Sequence, residues 1–360
     1  NVDNEPHSAG RQMNCHYGTR FINDDGTWKD MTKIKITTTD LSPTAAQMPR
    51  IMGLGLASKL FREDKNLHQF TTLSNKGNEI VFGTIGDGST SEGIFLEAIN
   101  AMGVLQIPVV MSVWDDGHAI SVPVEKQTTK GSISEALKGF VKENGSNGIE
   151  ILKARGWNYP ELCAAYDKAA KIARKTHTPV LVHVVELTQP QGHSTSGSHE
   201  RYKSKDRLAW EKEYDCTVQF KKWIIENSWA SEEELEEVHK NSKKVVRDAK
   251  NSAWKNYITP LKEELSEVLA MIDAIASKSR SRTFIKKYRD ELTGQMDVYR
   301  NYMITAAKKV LRQVRFEDIP EEKQRLADWL NESKISNYDR YNSLLYAHGE
   351  FASTNVKEIK

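Results

Sequence analysis

Two acidic sites stand out for the chemistry they could perform together. The first is Gly86-Asp87-Gly88-Ser89-Thr90-Ser91-Glu92-Gly93, directly after an apolar run and at the start of a helical pattern. Glycines there let the backbone approach a phosphate, and a helix N-terminus offers unpaired N–H groups to an anion. A carboxylate inside such a turn repels a phosphate unless a divalent cation bridges them, and magnesium favours a few carboxylates with phosphate oxygens and water. That chemistry requires more oxygen ligands at the end of a neighbouring strand. Asp115-Asp116-Gly117-His118-Ala119-Ile120-Ser121 supplies them after the next apolar run, with Asp87 and Asp116 29 residues apart. The spacing admits one helix and one strand, so adjacent parallel strands bring the acids together. On chemistry alone, two ordinary Gly/Asp turns remain an equal reading.

The elements that must position these sites are legible in the hydrophobic pattern. Residues 80–85, 107–114, 149–153 and 179–187 are near-continuous apolar runs, which is how strands buried on both faces read. Between them, 91–105, 132–142 and 159–177 carry helical spacing, the last with Leu162, Tyr166, Ala169, Ala170 and Ala173 on one side. This alternation predicts an α/β fold: a doubly wound parallel sheet with helices on both faces, spanning residues 1–205. Ligands of such sheets bind beyond the carboxyl ends of the strands. From 206 to 315 glycine almost vanishes and a helical extension is expected. There, Ser231 and Glu234 make a capping-box start to a charged helix over 232–254. After Pro260, Leu261, Leu265, Val268, Ile272 and Ile275 form a helix-packing seam, and a further helical stretch covers 282–314. Residues 316–360 are mixed and polar, and are expected to be a connector.

Composition narrows the function. With 51 basic and 49 acidic residues, a net charge of +2 gives nucleic acid or an anionic membrane little purchase as the main partner. Apolar runs fall far short of the ~20 residues of a membrane span. Cys15, Cys163 and Cys216 are widely separated with no Cys-x-x-Cys, so neither a disulfide framework nor a thiolate zinc site is expected, and a reducing cytoplasm is the default. The opening Asn1-Val2-Asp3, without initiator methionine or leader pattern, reads as that of an excised piece.

Gly86-Asp87-Gly88 followed by Asp115-Asp116 at a strand end resembles the thiamine diphosphate signature, whose second element is usually an Asn pair. Around it, Gly10-Arg11-Gln12-Met13 with His16-Tyr17-Gly18, Ser42-Pro43-Thr44-Ala45-Ala46-Gln47, Gly117-His118-Ala119-Ile120-Ser121 and Gly192-His193-Ser194-Thr195-Ser196 are similar in order and spacing to the alpha-type chain of 2-oxo acid dehydrogenase decarboxylating components, the branched-chain type above all. The likeness covers roughly residues 8 to 254. Together the motifs are specific; Gly-Asp-Gly alone is weak.

The resemblance implies thiamine diphosphate and Mg2+ as cofactors, with Asp87 and Asp116 as side-chain metal ligands and His118 contributing its backbone carbonyl. Gly88 and Ser89 would present backbone groups to the diphosphate, Gly86 and Ile120 would complete the cofactor-binding set, and Ser42 would lie near the thiazolium. His193 would sit on the loop that closes over the cofactor and act catalytically near the reactive carbon. Implied partners are a beta-type half, fused or separate, and a lipoyl-bearing acyltransferase, in an oligomer of alpha/beta units. The aminopyrimidine-binding glutamate would come from the beta-type half, and a diphosphate-binding Tyr-Arg pair from before Gly10, so this chain alone is expected to be inactive. Three departures matter. Asp116 replaces the usual Asn and calls for extra positive charge or else alters metal and cofactor affinity, Trp114 stands where branched-chain relatives have a diphosphate-binding arginine, and Ala46 stands where some use a Thr in a potassium site.

Other candidates read as structure. Gly53-Leu54-Gly55-Leu56-Ala57-Ser58 lies inside the helical run 45–61 rather than after a strand, which makes it helix packing rather than a dinucleotide fingerprint. Asn23-Asp24-Asp25-Gly26 is a surface turn without the bidentate acid of a calcium loop. His183 is mid-strand and reads as a satisfied core histidine; for His16, function and structure weigh equally.

Overall fold

Apolar runs with both faces covered become the sheet. Val81–Gly86 (β1) and Val109–Trp114 (β2) pair in parallel, followed by a two-residue hairpin of His118–Ala119 (β3) and Val122–Pro123 (β4). Glu150–Arg155 (β5) and Val180–Val185 (β6) complete a four-stranded parallel sheet in the order β1-β2-β6-β5. The computed structural model describes residues 18, 19, 21–23, 25–38, 43–193 and 198–342.

On one face, Val109, Met111, Val113 and Leu181 share a core with Met48 and Ile51 of helix α1 (Met48–Glu63) and with Phe95, Ile99 and Met102 of α2 (Gly93–Leu105). On the other, Val110, Val180, Val182 and Val184 meet Ala169 and Ala173 of a helix over Tyr159–Thr176. Successive side chains of a strand point to opposite faces, so strands buried on both sides show no polar alternation. The glycine-rich stretch in α1 is helix packing as expected: a Cβ on Gly55 would lie 2.9 Å from Val109 and 3.0 Å from Ile107.

The helix expected over 132–142 is shorter. A single turn, α3 (Ile133–Ala136), and a 3-10 turn at Lys138–Phe140 give way to a parallel bridge between Val141 and Ile149, whose backbone bonds compete with helix continuation. The Tyr159–Thr176 helix, α4, starts where Asn158 accepts the Glu161 N–H, with Pro160 in its first turn, and ends at His177 with φ 53°. Helices α5 (Lys205–Glu213) and α6 (Cys216–Glu226) are capped by Ser204 and Asp215.

The chain divides into two units, Asn1–Glu232 and Glu233–Lys360, so α5 and α6 belong with the sheet rather than with the helical extension expected from residue 206. The second unit is helical: α7 (Glu232–Lys278), α8 (Arg282–Thr293), α9 (Arg300–Gln313) and α10 (Pro320–Asn342). Pro260 does not end a helix. A proline leaves the carbonyl four residues back without its donor, and exposed Asn256 has water available to replace it. Nor are residues 320–342 a connector: Leu326, Trp329 and Leu330 of α10 are buried with Ile272 and Ile275 of α7, Ile285 of α8 and Met303 and Val310 of α9. Their i, i+3, i+4 spacing is a short apolar stripe hidden in a polar composition. No helix among the described residues is long and apolar enough to cross a membrane.

Candidate functional site

The β1–β2 register pairs Gly86 with Trp114, and the Asp87 N–H extends the ladder to the Trp114 carbonyl at 3.0 Å. Two acidic turns that are distant in sequence therefore leave the sheet side by side. Gly88 lets them interlock: a Cβ there would sit 2.6 Å from the Ala119 Cβ, whereas the space a Cβ would take on Gly86 is open for 4 Å. Gly88–Ser91 forms a 3-10 turn in which the Thr90 hydroxyl donates to the Asp87 carbonyl at 2.6 Å, and half-buried Ser89 leads toward the N-terminus of α2.

Asp87 is only 4% exposed. Burial, followed by the neighbouring charges of Asp115 and Asp116, pushes its carboxyl up to about 7. Its Oδ2 receives Gln127 Nε2 at 3.4 Å. The two following acids differ in how they are engaged. Asp115 accepts His183 Nε2 on Oδ2 at 2.8 Å and the Gly117 N–H on Oδ1 at 2.8 Å. Asp116 accepts only the His118 N–H, on Oδ1 at 3.2 Å, so among the described residues its Oδ2 is left open. Burial raises Asp116 as well, opposed by the His118 N–H and by Lys203.

The positive charge that Asp116 calls for is present. Lys203 is buried and bonds both oxygens of buried Glu211 at 2.7 and 3.0 Å, and Arg207 donates to Glu211 at 2.8 Å and to the Asp116 carbonyl at 2.8 Å. Two cations against one carboxylate leave one positive charge in excess beside the acids. Of this group, only Arg207–Glu211 carries a local signal, the helical i, i+4 spacing. Lys203, Gln127 and the His183–Asp115 bond have no counterpart in the sequence reading.

The remaining expected residues fall around this point. The His118 ring packs on Tyr202 with centroids 5.6 Å apart. Ile120 takes φ 58° in the two-residue turn between β3 and β4 and is 60% exposed. His193 is exposed next to Gly192, whose Cβ position would lie 2.9 Å from the Tyr202 hydroxyl, so Tyr202 links the His193 turn to His118. Trp114, half exposed, turns its indole N–H back to Ser112 Oγ at 2.9 Å instead of projecting like an arginine. His183 is a satisfied core residue, as expected. Ser42, His16 and residues 194–197 lie outside the described residues. No three His, Cys, Asp or Glu side chains among the described residues converge as a protein-only metal cage.

Residues 11–261 match the sequence model of the Dehydrogenase E1 component family. The chain is 28% identical over 264 residues to 2-oxoisovalerate dehydrogenase subunit alpha 1, mitochondrial, of Arabidopsis thaliana, covering 73% of this chain and 48% of that protein. It is 28% identical over 220 residues to pyruvate dehydrogenase E1 component subunit alpha of Rickettsia bellii, 61% of this chain and 60% of the relative. Against 2-oxoisovalerate dehydrogenase subunit alpha of Bacillus subtilis it is 26% identical over 233 residues, 64% and 59% respectively. The chain thus spans about half to three-fifths of the length of these curated relatives. With the family match covering more than half of its residues, the chain belongs to the dehydrogenase E1 component family.

Proposed function

We propose that this chain is the alpha-type part of a 2-oxo acid dehydrogenase that binds thiamine diphosphate through Mg2+ and decarboxylates a branched-chain 2-oxo acid, passing the acyl group to a lipoyl domain. The observation that carries the reading is the pair of acids at adjacent strand ends, Asp87 buried and short of positive charge, Asp116 with an open oxygen. Two carboxylates and a backbone carbonyl are few ligands for a protein-only site but suit magnesium, which takes its other oxygens from phosphate and water. The open space over Gly86 leaves room for such a group at the turn.

In this reading Asp87, Asp116 and the His118 carbonyl hold the cation, and Gly88 and Ser89 turn backbone N–H groups to the diphosphate. Bound thiamine diphosphate supplies a thiazolium that accepts the electron pair released with carbon dioxide. Ser42 lines that region, Ile120 flanks it, and His193 moves a proton at an imidazole nitrogen near the reacting carbon. A beta-type half, fused or separate, supplies the rest of the site, a lipoyl-bearing acyltransferase receives the acyl group, the enzyme is an oligomer of alpha/beta units, and the compartment is a reducing cytoplasm. The likeness to a pyruvate dehydrogenase alpha subunit favours a second reading, in which pyruvate is the substrate.

In the enzyme with its beta-type half, Asp87→Ala is expected to abolish Mg2+-dependent thiamine diphosphate binding by calorimetry; undiminished affinity overturns the metal assignment. Decarboxylation rates with pyruvate and with branched 2-oxo acids separate the two substrate readings.

A further inference from the structure

His183 lies in the middle of β6, 1% exposed, and both ring nitrogens are engaged: Nδ1 with Ser134 Oγ at 3.0 Å and Nε2 with Asp115 Oδ2 at 2.8 Å. A carboxylate only accepts, so Nε2 carries a proton, and in the neutral ring Nδ1 accepts from the Ser134 hydroxyl. Ser134, itself buried, sits in the single turn α3, so the imidazole is clamped between two elements that flank the sheet. A buried polar chain of this kind is unnecessary for packing, since valine or leucine would fill a β6 position facing the core.

The consequence falls on the next residue. Asp115 has one oxygen on His183 and the other on the Gly117 N–H, while its own N–H bonds the Val184 carbonyl at 2.8 Å. This ties the first of two adjacent acids to β6 and to the turn, and leaves the second with the open oxygen. We infer that His183 is a positioning residue for cation binding, acting through Asp115 to set the turn in which Asp116 faces Asp87. The inference rests on the proposed Mg2+ site and goes beyond it by assigning a role to a residue that touches neither cation nor cofactor. Partners that orient ligands in this way affect metal affinity without contacting the metal.

A pair of substitutions separates positioning from core filling. Glutamine reproduces the Nε2 end of histidine and asparagine the Nδ1 end. The readout is Mn2+ affinity in the full-length enzyme with thiamine diphosphate, from the EPR signal of free Mn2+. H183N is expected to weaken Mn2+ binding about 10-fold or more, and H183Q to stay within about threefold of wild type. Equal weakening in both variants, or wild-type affinity in folded H183N, overturns the inference. Should H183N not fold, Ser134→Ala leaves the ring in place but loosens it; a loss of about threefold is expected, and unchanged affinity overturns the positioning role. A wild-type enzyme that takes up no Mn2+ overturns the site reading and this inference together, whereas a binding wild type with unaffected variants overturns the inference alone.

Discussion

Two buried charged groups stand next to each other in the sheet unit and are built on opposite rules. Lys203, Glu211 and Arg207 satisfy one another. Burial alone would raise the Glu211 carboxyl, but bonds from Lys203 and Arg207 outweigh it and hold the group below its ordinary range. Asp87, Asp115 and Asp116 instead place like charges together, and Asp87 is driven upward by burial and by its neighbours. Burying unpaired charge is costly, and the proposed cation is what would offset that cost at these strand ends. The balanced group borders the acidic one, because Arg207 holds the Asp116 carbonyl while the charge of Lys203 opposes the upward shift of its carboxyl.

The largest expected break in this contrast comes from removing a partner in the balanced group. Glu211→Leu leaves the Lys203 ammonium buried without its carboxylate and should cost about 3–5 kcal/mol, read as a fall in the urea midpoint; a loss under about 1 kcal/mol would mean water reaches Lys203. In the unbalanced group the sign reverses. Asp87 has a folded-state pKa near 7, above its unfolded value of 3.8, so it destabilises the cation-free protein progressively as pH rises through that window. Asp87→Asn should therefore stabilise the cation-free chain by about 2 kcal/mol at alkaline pH and by little at acid pH, flattening the pH dependence of Tm. Parallel Tm profiles for variant and wild type would exclude Asp87 as the source. The smallest effect lies at the turn tip. Ile120 is β-branched with φ 58°, and Ile120→Gly should relieve about 1 kcal/mol, measurable by chemical denaturation; a destabilised variant would show that Ile120 contributes packing that outweighs its strain.

Much of the architecture was legible before the structure. Strand runs around residues 80, 107, 149 and 179 owe their visibility to burial on both faces, and the helix over Tyr159–Thr176 announces itself through its alanine face. That the helix over 232–254 runs on through Pro260 into the seam, and that the connector expected after residue 316 is a helix up to Asn342, have complementary reasons. A proline in an exposed stretch of helix can leave its missing bond to water, and three apolar residues in α10 suffice to bury one stripe of a polar helix. The Asp87 and Asp116 motifs were readable because each is a short local string at a strand end.

By itself, then, the sequence determined where the strands run, which turns carry acids at their carboxyl ends, and that Asp116 adds a further negative charge to be balanced there. Only the tertiary structure decided which groups answer that need. Lys203 and Arg207 reach Asp116 from across the unit, and His183 meets Asp115 from 68 residues away. Strand pairing and helix packing bring these partners together, and no local spacing encodes a contact that forms only when the sheet closes its order around β2 and β6.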